Sequence, residues 1–137
     1  MNGSNFVFVI DTNVIFMALY NSWSKAGKVI QLALENKIKI YSSDNIKEEI
    51  IRILKKELNY SENELNLTLD SLPIEWVCKD VYFQFLGKTE VKHKPDKPLE
   101  ALAIALNVRI LSADKHFMGN KRKMDVNELL KSFEMWF

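Results

Sequence analysis

Short apolar strands alternating with amphipathic helices predict an α/β domain: a parallel sheet with helices on both faces. Three observations carry that expectation. Phe6-Val7-Phe8-Val9-Ile10 is a continuous β-branched and aromatic run, the mark of a strand covered on both sides. Residues 38–41 and 108–111 are further short apolar runs, separated by helix-periodic segments. With 137 residues and no repeat, low-complexity tract or linker, the chain reads as one domain over residues 1–137 with one closed core.

In chain order, the first strand stops at Asp11-Thr12-Asn13, all helix N-cap types, and residues 14–20 form a first helix. A second helix runs from about 24 to 36 on Val29, Ile30, Leu32, Ala33 and Leu34. After strand 38–41, Ser42-Ser43-Asp44-Asn45 caps a helix carrying Ile46, Ile50, Ile53, Leu54 and Leu58. Ser61-Glu62-Asn63-Glu64 has the capping-box pattern and opens a helix that Pro73 ends. Residues 74–78 are a third strand and 80–86 a helix. The polar, basic segment 87–98, with two prolines, reads as a mobile loop. Residues 99–106 form an Ala-rich helix, 108–111 a fourth strand and 126–133 a closing helix.

The balance of 19 basic and 18 acidic residues, net +1, singles out no partner by bulk charge. One cysteine excludes an internal disulfide and a Cys-rich zinc site, and the apolar neighbours Trp76 and Val77 make Cys78 a buried, inert thiol by expectation. No apolar run reaches the roughly 20 residues of a membrane span. Met1-Asn2-Gly3-Ser4-Asn5 lacks a basic region and a small-residue cleavage site, so a cytoplasmic protein is expected.

In open parallel sheets the functional crevice lies beyond the carboxyl ends of the strands. Asp11 directly follows the first strand and Asp114 follows the fourth. If those strands are neighbours, about 4.8 Å apart, their carboxylates face one crevice. Such close like charges raise each other's pKa unless a cation neutralises them, and hard oxygen donors favour Mg²⁺, Mn²⁺ or Ca²⁺ over zinc. On a helical wheel Glu49 sits at the edge of the Ile46–Ile50–Ile53 stripe, whereas Glu48 points to water. Asp96 stands at the start of the Ala-rich helix, where the helix dipole favours its ionised form. Each acid taken alone is equally explained as a cap or a surface group.

Taken together, the pattern resembles the PIN-domain family of metal-dependent nucleases. The resemblance starts at the apolar strand with Asp11-Thr12-Asn13 and continues through Ser42-Ser43-Asp44-Asn45-Ile46-Lys47-Glu48-Glu49-Ile50. Its most specific stretch runs from Asp96-Lys97-Pro98-Leu99-Glu100-Ala101-Leu102-Ala103-Ile104-Ala105-Leu106 to Ile110-Leu111-Ser112-Ala113-Asp114-Lys115-His116-Phe117. The resemblance implies a PIN-type three-layer α/β/α sandwich with a central, mostly parallel sheet of four to five strands. It implies catalytic acids at Asp11, Glu49, Asp96 and Asp114, with Asp11, Asp96 and Asp114 holding Mg²⁺ or Mn²⁺ and Asn13 and Ser112 as supporting groups. Glu48 beside Glu49 leaves the second acid open. Many relatives carry a further acid where this chain has His116, which bears on a second metal.

Two basic clusters flank the acids: Lys88, Lys92, His93, Lys94 and Lys97 before Asp96, and Lys115, His116, Lys121, Arg122 and Lys123 after Asp114. Lys94, Lys97, Lys115 and His116 are the candidate RNA contacts. Phe83, Phe85 and Phe117 are either base-stacking or core residues. A phosphoacceptor receiver domain would have adjacent acids near the N-terminus, and a haloacid-dehalogenase-type phosphatase a second Asp at position 13; neither is present. A stand-alone chain of this length is similar to the toxin of a toxin–antitoxin pair (VapC-type), which implies an RNA substrate, a small antitoxin partner and a homodimer, with Trp23, Trp136 and Phe137 as candidate interface residues. The alternative is a non-catalytic PIN scaffold that binds RNA or a protein.

Overall fold

The computed structural model describes residues 6–133. The N-terminal segment read above for targeting signals, and Trp136 and Phe137, lie outside the described residues. The elements are β1 (Val7–Ile10), α1 (Thr12–Tyr20), α2 (Lys25–Leu34), β2 (Lys39–Ser43), α3 (Asp44–Leu58), α4 (Glu62–Ser71) and β3 (Ile74–Val77). There follow α5 (Lys79–Tyr82), α6 (Lys97–Leu106), β4 (Arg109–Leu111), β5 (Lys123–Met124) and α7 (Val126–Ser132). Short 3-10 turns occupy Phe83–Lys88, Lys94–Asp96 and Lys115–Phe117.

The five strands form one sheet in the order β3-β2-β1-β4-β5, and every neighbouring pair is parallel. This is the three-layer α/β/α sandwich expected. Helices α1, α2 and α7 pack together, while α6 lies on β1 and β2 with α5 beside it. Central strands need apolar residues on both faces, and Val9, Ile40 and Ile110 are each fully buried. Removing each such side chain from water contributes about 2 kcal/mol.

Helix ends are set by local chemistry. Ser61 and Glu64 form the expected reciprocal capping box at the start of α4. Asn36, Asn59 and Asn107 adopt left-handed backbone with φ of 61°, 58° and 54°, closing α2, α3 and α6. Gly27 lets α2 approach the preceding turn, since a Cβ there would lie 2.2 Å from the Ser22 carbonyl oxygen.

Several local expectations differ from what is observed. Strand β5 is only two residues long and half-buried, too short to show any period in sequence. The expected helix over 80–86 is one turn of α-helix followed by 3-10 turns. Segment 87–98 is not a free loop. The buried Glu100 carboxylate accepts the backbone N–H groups of Glu90 and Val91 at 2.8 and 2.9 Å, and Lys97 Nζ donates to the Val91 carbonyl at 2.8 Å. Cys78 is exposed rather than buried, because it follows the edge strand β3, which has a sheet neighbour on one side only. Phe117 is fully buried, Phe83 is 60% exposed and Phe85 is half-buried.

A candidate metal centre at the sheet edge

Strands β1 and β4 are parallel neighbours, with Ile10 opposite Leu111. The chain leaves β1 towards β2 on one side, and β4 lies on the other, so their carboxyl ends flank the point where strand order reverses. Asp11 follows Ile10 and extends the ladder by one bond, its N–H donating to the Leu111 carbonyl at 3.0 Å. A cleft of 610 Å³ opens there, lined by all four acids singled out from sequence: Asp11, Glu49, Asp96 and Asp114. Thr12, Asn13, His93 and a further acid, Glu57, complete its polar side, and Phe16, Tyr20, Ile53, Leu58 and Pro95 its apolar side.

Each acid is held by its own element. Asp11 is the N-cap of α1 and 4% exposed; Oδ1 accepts the Thr12 N–H at 2.7 Å, and Oδ2 accepts the Ser112 hydroxyl at 2.8 Å. Ser112 in turn accepts the Asp114 N–H at 2.9 Å, so one fully buried hydroxyl links the acids behind β1 and β4. Asn13 Oδ1 accepts the Ala113 N–H at 3.3 Å, a second tie between the same two loops. Asp114 caps the 3-10 turn that follows it by accepting the His116 N–H at 2.9 Å.

Glu49 Oε1 accepts the Thr12 hydroxyl at 2.7 Å, which fixes it beside Asp11. Glu48, its neighbour, is exposed and does not line the cleft. Asp96 occupies the N-cap position of α6 yet makes no side-chain cap bond. Its carboxylate instead faces His93 and His116. The backbone before it is pinned to α3, because Asn45 Nδ2 donates to the Pro95 carbonyl at 3.2 Å.

The electrostatics are those of acids crowded together. Burial pushes the Asp11 carboxyl up to about 6, the charges of Asp96 and Asp114 push the same way, and the bonds from Ser112 and Thr12 oppose them. Asp96 is also raised, by burial first and then by Asp114, against the lowering effect of His93 and His116. Oxygen donors that repel one another across a solvent-open cleft fit a hard divalent cation, which would relieve that repulsion.

Cations surround the site unevenly. Lys94 and Lys115 are exposed beside it. Lys97 is committed to Val91 and, at 3.3 Å, to the Thr89 hydroxyl, and His116 is engaged by Asp96 and Asp114. Arg122 and Lys123 are likewise occupied, by the Val108 carbonyl and Asp125. Sequence reasoning missed Thr12 as the partner of Glu49 and Glu100 as the clamp of segment 89–91. A hydroxyl among cap residues and a glutamate in a helix's first turn are too common to signal either role.

A parallel α/β sheet with four acids gathered round the reversal of its strand order defines an acid-cluster α/β domain. The chain belongs to the PIN domain family, whose sequence profile matches residues 7–116. No curated protein matches the sequence. Among solved structures it is similar to a toxin–antitoxin complex from Klebsiella pneumoniae, with a TM-score of 0.64 and 15% identity, covering 86% of this chain and 96% of that one. It is also similar to VapBC2 from Rickettsia felis bound to a fragment of promoter DNA, with a TM-score of 0.58 and 16% identity, covering 88% of this chain and 98% of that one.

Proposed function

We propose that this chain is a Mg²⁺- or Mn²⁺-dependent endoribonuclease and the toxin of a toxin–antitoxin pair. The observation that carries the reading is the convergence of Asp11, Glu49, Asp96 and Asp114 on one cleft, in a PIN domain. Both similar structures come from toxin–antitoxin systems and are matched over nearly their whole length, which supports an antitoxin as partner.

Asp11, Asp96 and Asp114 would hold the ion. A divalent ion in such a site lowers the pKa of bound water and neutralises charge on the phosphodiester. Ser112 keeps one oxygen of Asp11 and the backbone of Asp114 in fixed relation. Asn13 holds the loop between them. Glu49, steadied through Oε1 by Thr12, positions the attacking water and takes up its proton. Lys94 and Lys115 draw the RNA backbone to the rim, offsetting the repulsion between the acids and a polyanion.

The apolar wall of Phe16, Tyr20, Ile53 and Leu58 offers an antitoxin side chains a place to cover the site. Trp23, 89% exposed, and Met17, 49% exposed, support a homodimer contact elsewhere. No described helix is long and apolar enough to cross a membrane, in keeping with a cytoplasmic toxin.

Cleavage of labelled single-stranded RNA with Mg²⁺, with Mn²⁺ and with EDTA, for the wild type and Asp11→Asn and Asp96→Asn variants, tests the reading. Cleavage that needs metal and fails in both variants supports it. Metal-independent cleavage, or full activity in both variants, contradicts it.

A further inference from the structure

The acid cleft has a second wall that is not acidic. His93 Nδ1 lies 3.1 Å from Asp96 Oδ2, and His116 Nδ1 lies 3.0 Å from the same oxygen and 3.2 Å from Asp114 Oδ1. The two imidazoles stack with centroids 4.1 Å apart and planes inclined by 24°. Ligand atoms of His93, Asp96 and His116 all lie within 4.8 Å of one another.

The three nitrogen–oxygen separations are those of neighbouring donors in a coordination shell. For metal–nitrogen bonds of about 2.1 Å, adjacent ligands stand roughly 3.0 Å apart in an octahedron and roughly 3.4 Å apart in a tetrahedron. The two imidazoles converge on one carboxylate oxygen, Asp96 Oδ2, and so place two nitrogen donors beside one oxygen donor.

The ligands are also pre-positioned by the structure around them. The Asp96 N–H donates to the His93 carbonyl at 3.0 Å, closing the turn that carries both. Glu100 and Lys97 clamp the chain two residues earlier, at Val91. His116 rides on a 3-10 turn anchored by the fully buried Phe117. Behind the pair, a separate cleft of 310 Å³ is lined by both histidines, Glu90 and Asn120, leaving room for water to complete a shell.

We propose that His93 Nδ1, His116 Nδ1 and the Asp96 carboxylate form a second metal site, selective for a late first-row divalent ion such as Co²⁺ or Zn²⁺ over Mg²⁺. Imidazole nitrogen is the donor that makes this choice, because Mg²⁺ prefers oxygen and keeps its water. Binding takes the tautomer with its proton on Nε2, so any Nδ1 proton leaves to solvent. The site shares Asp96 with the proposed nuclease centre but does not depend on nuclease activity.

Apoprotein is titrated with Co²⁺, and separately with Zn²⁺, in the presence of millimolar Mg²⁺. The d–d absorption of Co²⁺ and the heat of Zn²⁺ binding are recorded for the wild type, His93→Ala, His116→Ala and Asp11→Asn. The expected result is one site in the wild type, weakened at least about tenfold in each histidine variant and retained in Asp11→Asn. His93→Asn and His116→Asn, which keep a polar group without an imidazole, are expected to behave as the alanine variants do, and thermal melts confirm folding. Binding unchanged in every histidine variant, or no site in the wild type at millimolar Co²⁺, overturns the proposal. Because Asp11→Asn is read by RNA cleavage as well, loss of the histidine site and loss of the nuclease reading are separately visible.

Discussion

The Ser112 hydroxyl donates to Asp11 Oδ2 at 2.8 Å across 101 residues of chain, and Ser112 Oγ itself accepts the Asp114 N–H at 2.9 Å. Two acids from opposite ends of the sequence are thereby set by one buried atom. Ser112→Ala leaves the Asp114 N–H and one oxygen of Asp11 without this partner. The expected outcome is a loss of about 1–3 kcal/mol in chemical denaturation and a fall of about tenfold or more in Mn²⁺ affinity by calorimetry.

Asp11 makes the apoprotein sensitive to pH. Its carboxyl is raised from 3.8 to about 6 in the folded state, so the fold binds this proton more tightly than the unfolded chain does. Its contribution to stability is complete below the unfolded value and is lost as pH rises through about 6. The loss amounts to about 3 kcal/mol at neutral pH and under about 1 kcal/mol near pH 4. In EDTA, Asp11→Asn is therefore expected to be more stable than the wild type at pH 7.5 and nearly equal to it at pH 4. Denaturation curves at the two pH values check this, and equal stability at both would contradict it.

Glu100 is 2% exposed and holds three donors: the N–H groups of Glu90 and Val91, and Asn120 Nδ2 at 3.0 Å. Glu100→Ala is expected to cost about 3 kcal/mol and to release the segment before Asp96. Amide hydrogen exchange at Glu90 and Val91 should accelerate well beyond the change in global unfolding.

Lysines near the site divide into two kinds. Lys115 is exposed, so Lys115→Ala should weaken RNA binding and lower the slope of log affinity against log salt by about 0.7. Lys97 is spent on Val91 and Thr89, so Lys97→Ala should lower the melting temperature while leaving the salt slope nearly unchanged. Filter binding across a salt series distinguishes the two.

What the sequence disclosed and what it concealed follow from the range of the interactions. Strand β1 is legible because a strand buried on both faces needs an unbroken apolar run, and the position of Asp11 follows from where that run stops. Helical period put Glu49 at the edge of a buried stripe and Asp96 stands at the start of an Ala-rich helix, but each alone reads equally as a surface group or a cap, and Glu48 stayed open beside Glu49. What the period cannot show is which distant group a side chain meets. Thr12 reaches Glu49 across 37 residues, and Asn45 reaches the Pro95 carbonyl across 50. The anchoring of segment 87–98 was hidden for the same reason, since Glu100 reads as an ordinary helix residue until the chain folds back onto it. Strand β5 was illegible because two residues carry no period. The exposure of Cys78 depends on β3 being the sheet edge, which strand order decides and local composition does not.

Convergence of Asp11, Asp96 and Asp114 on a shared divalent ion is the claim on which the nuclease reading stands. Crystals grown with Mn²⁺ and measured for anomalous scattering test it directly. A Mn²⁺ peak is expected in the cleft at the ends of β1 and β4, in contact with all three carboxylates and absent from Asp11→Asn crystals. A peak elsewhere, or an empty cleft at saturating Mn²⁺, would contradict it.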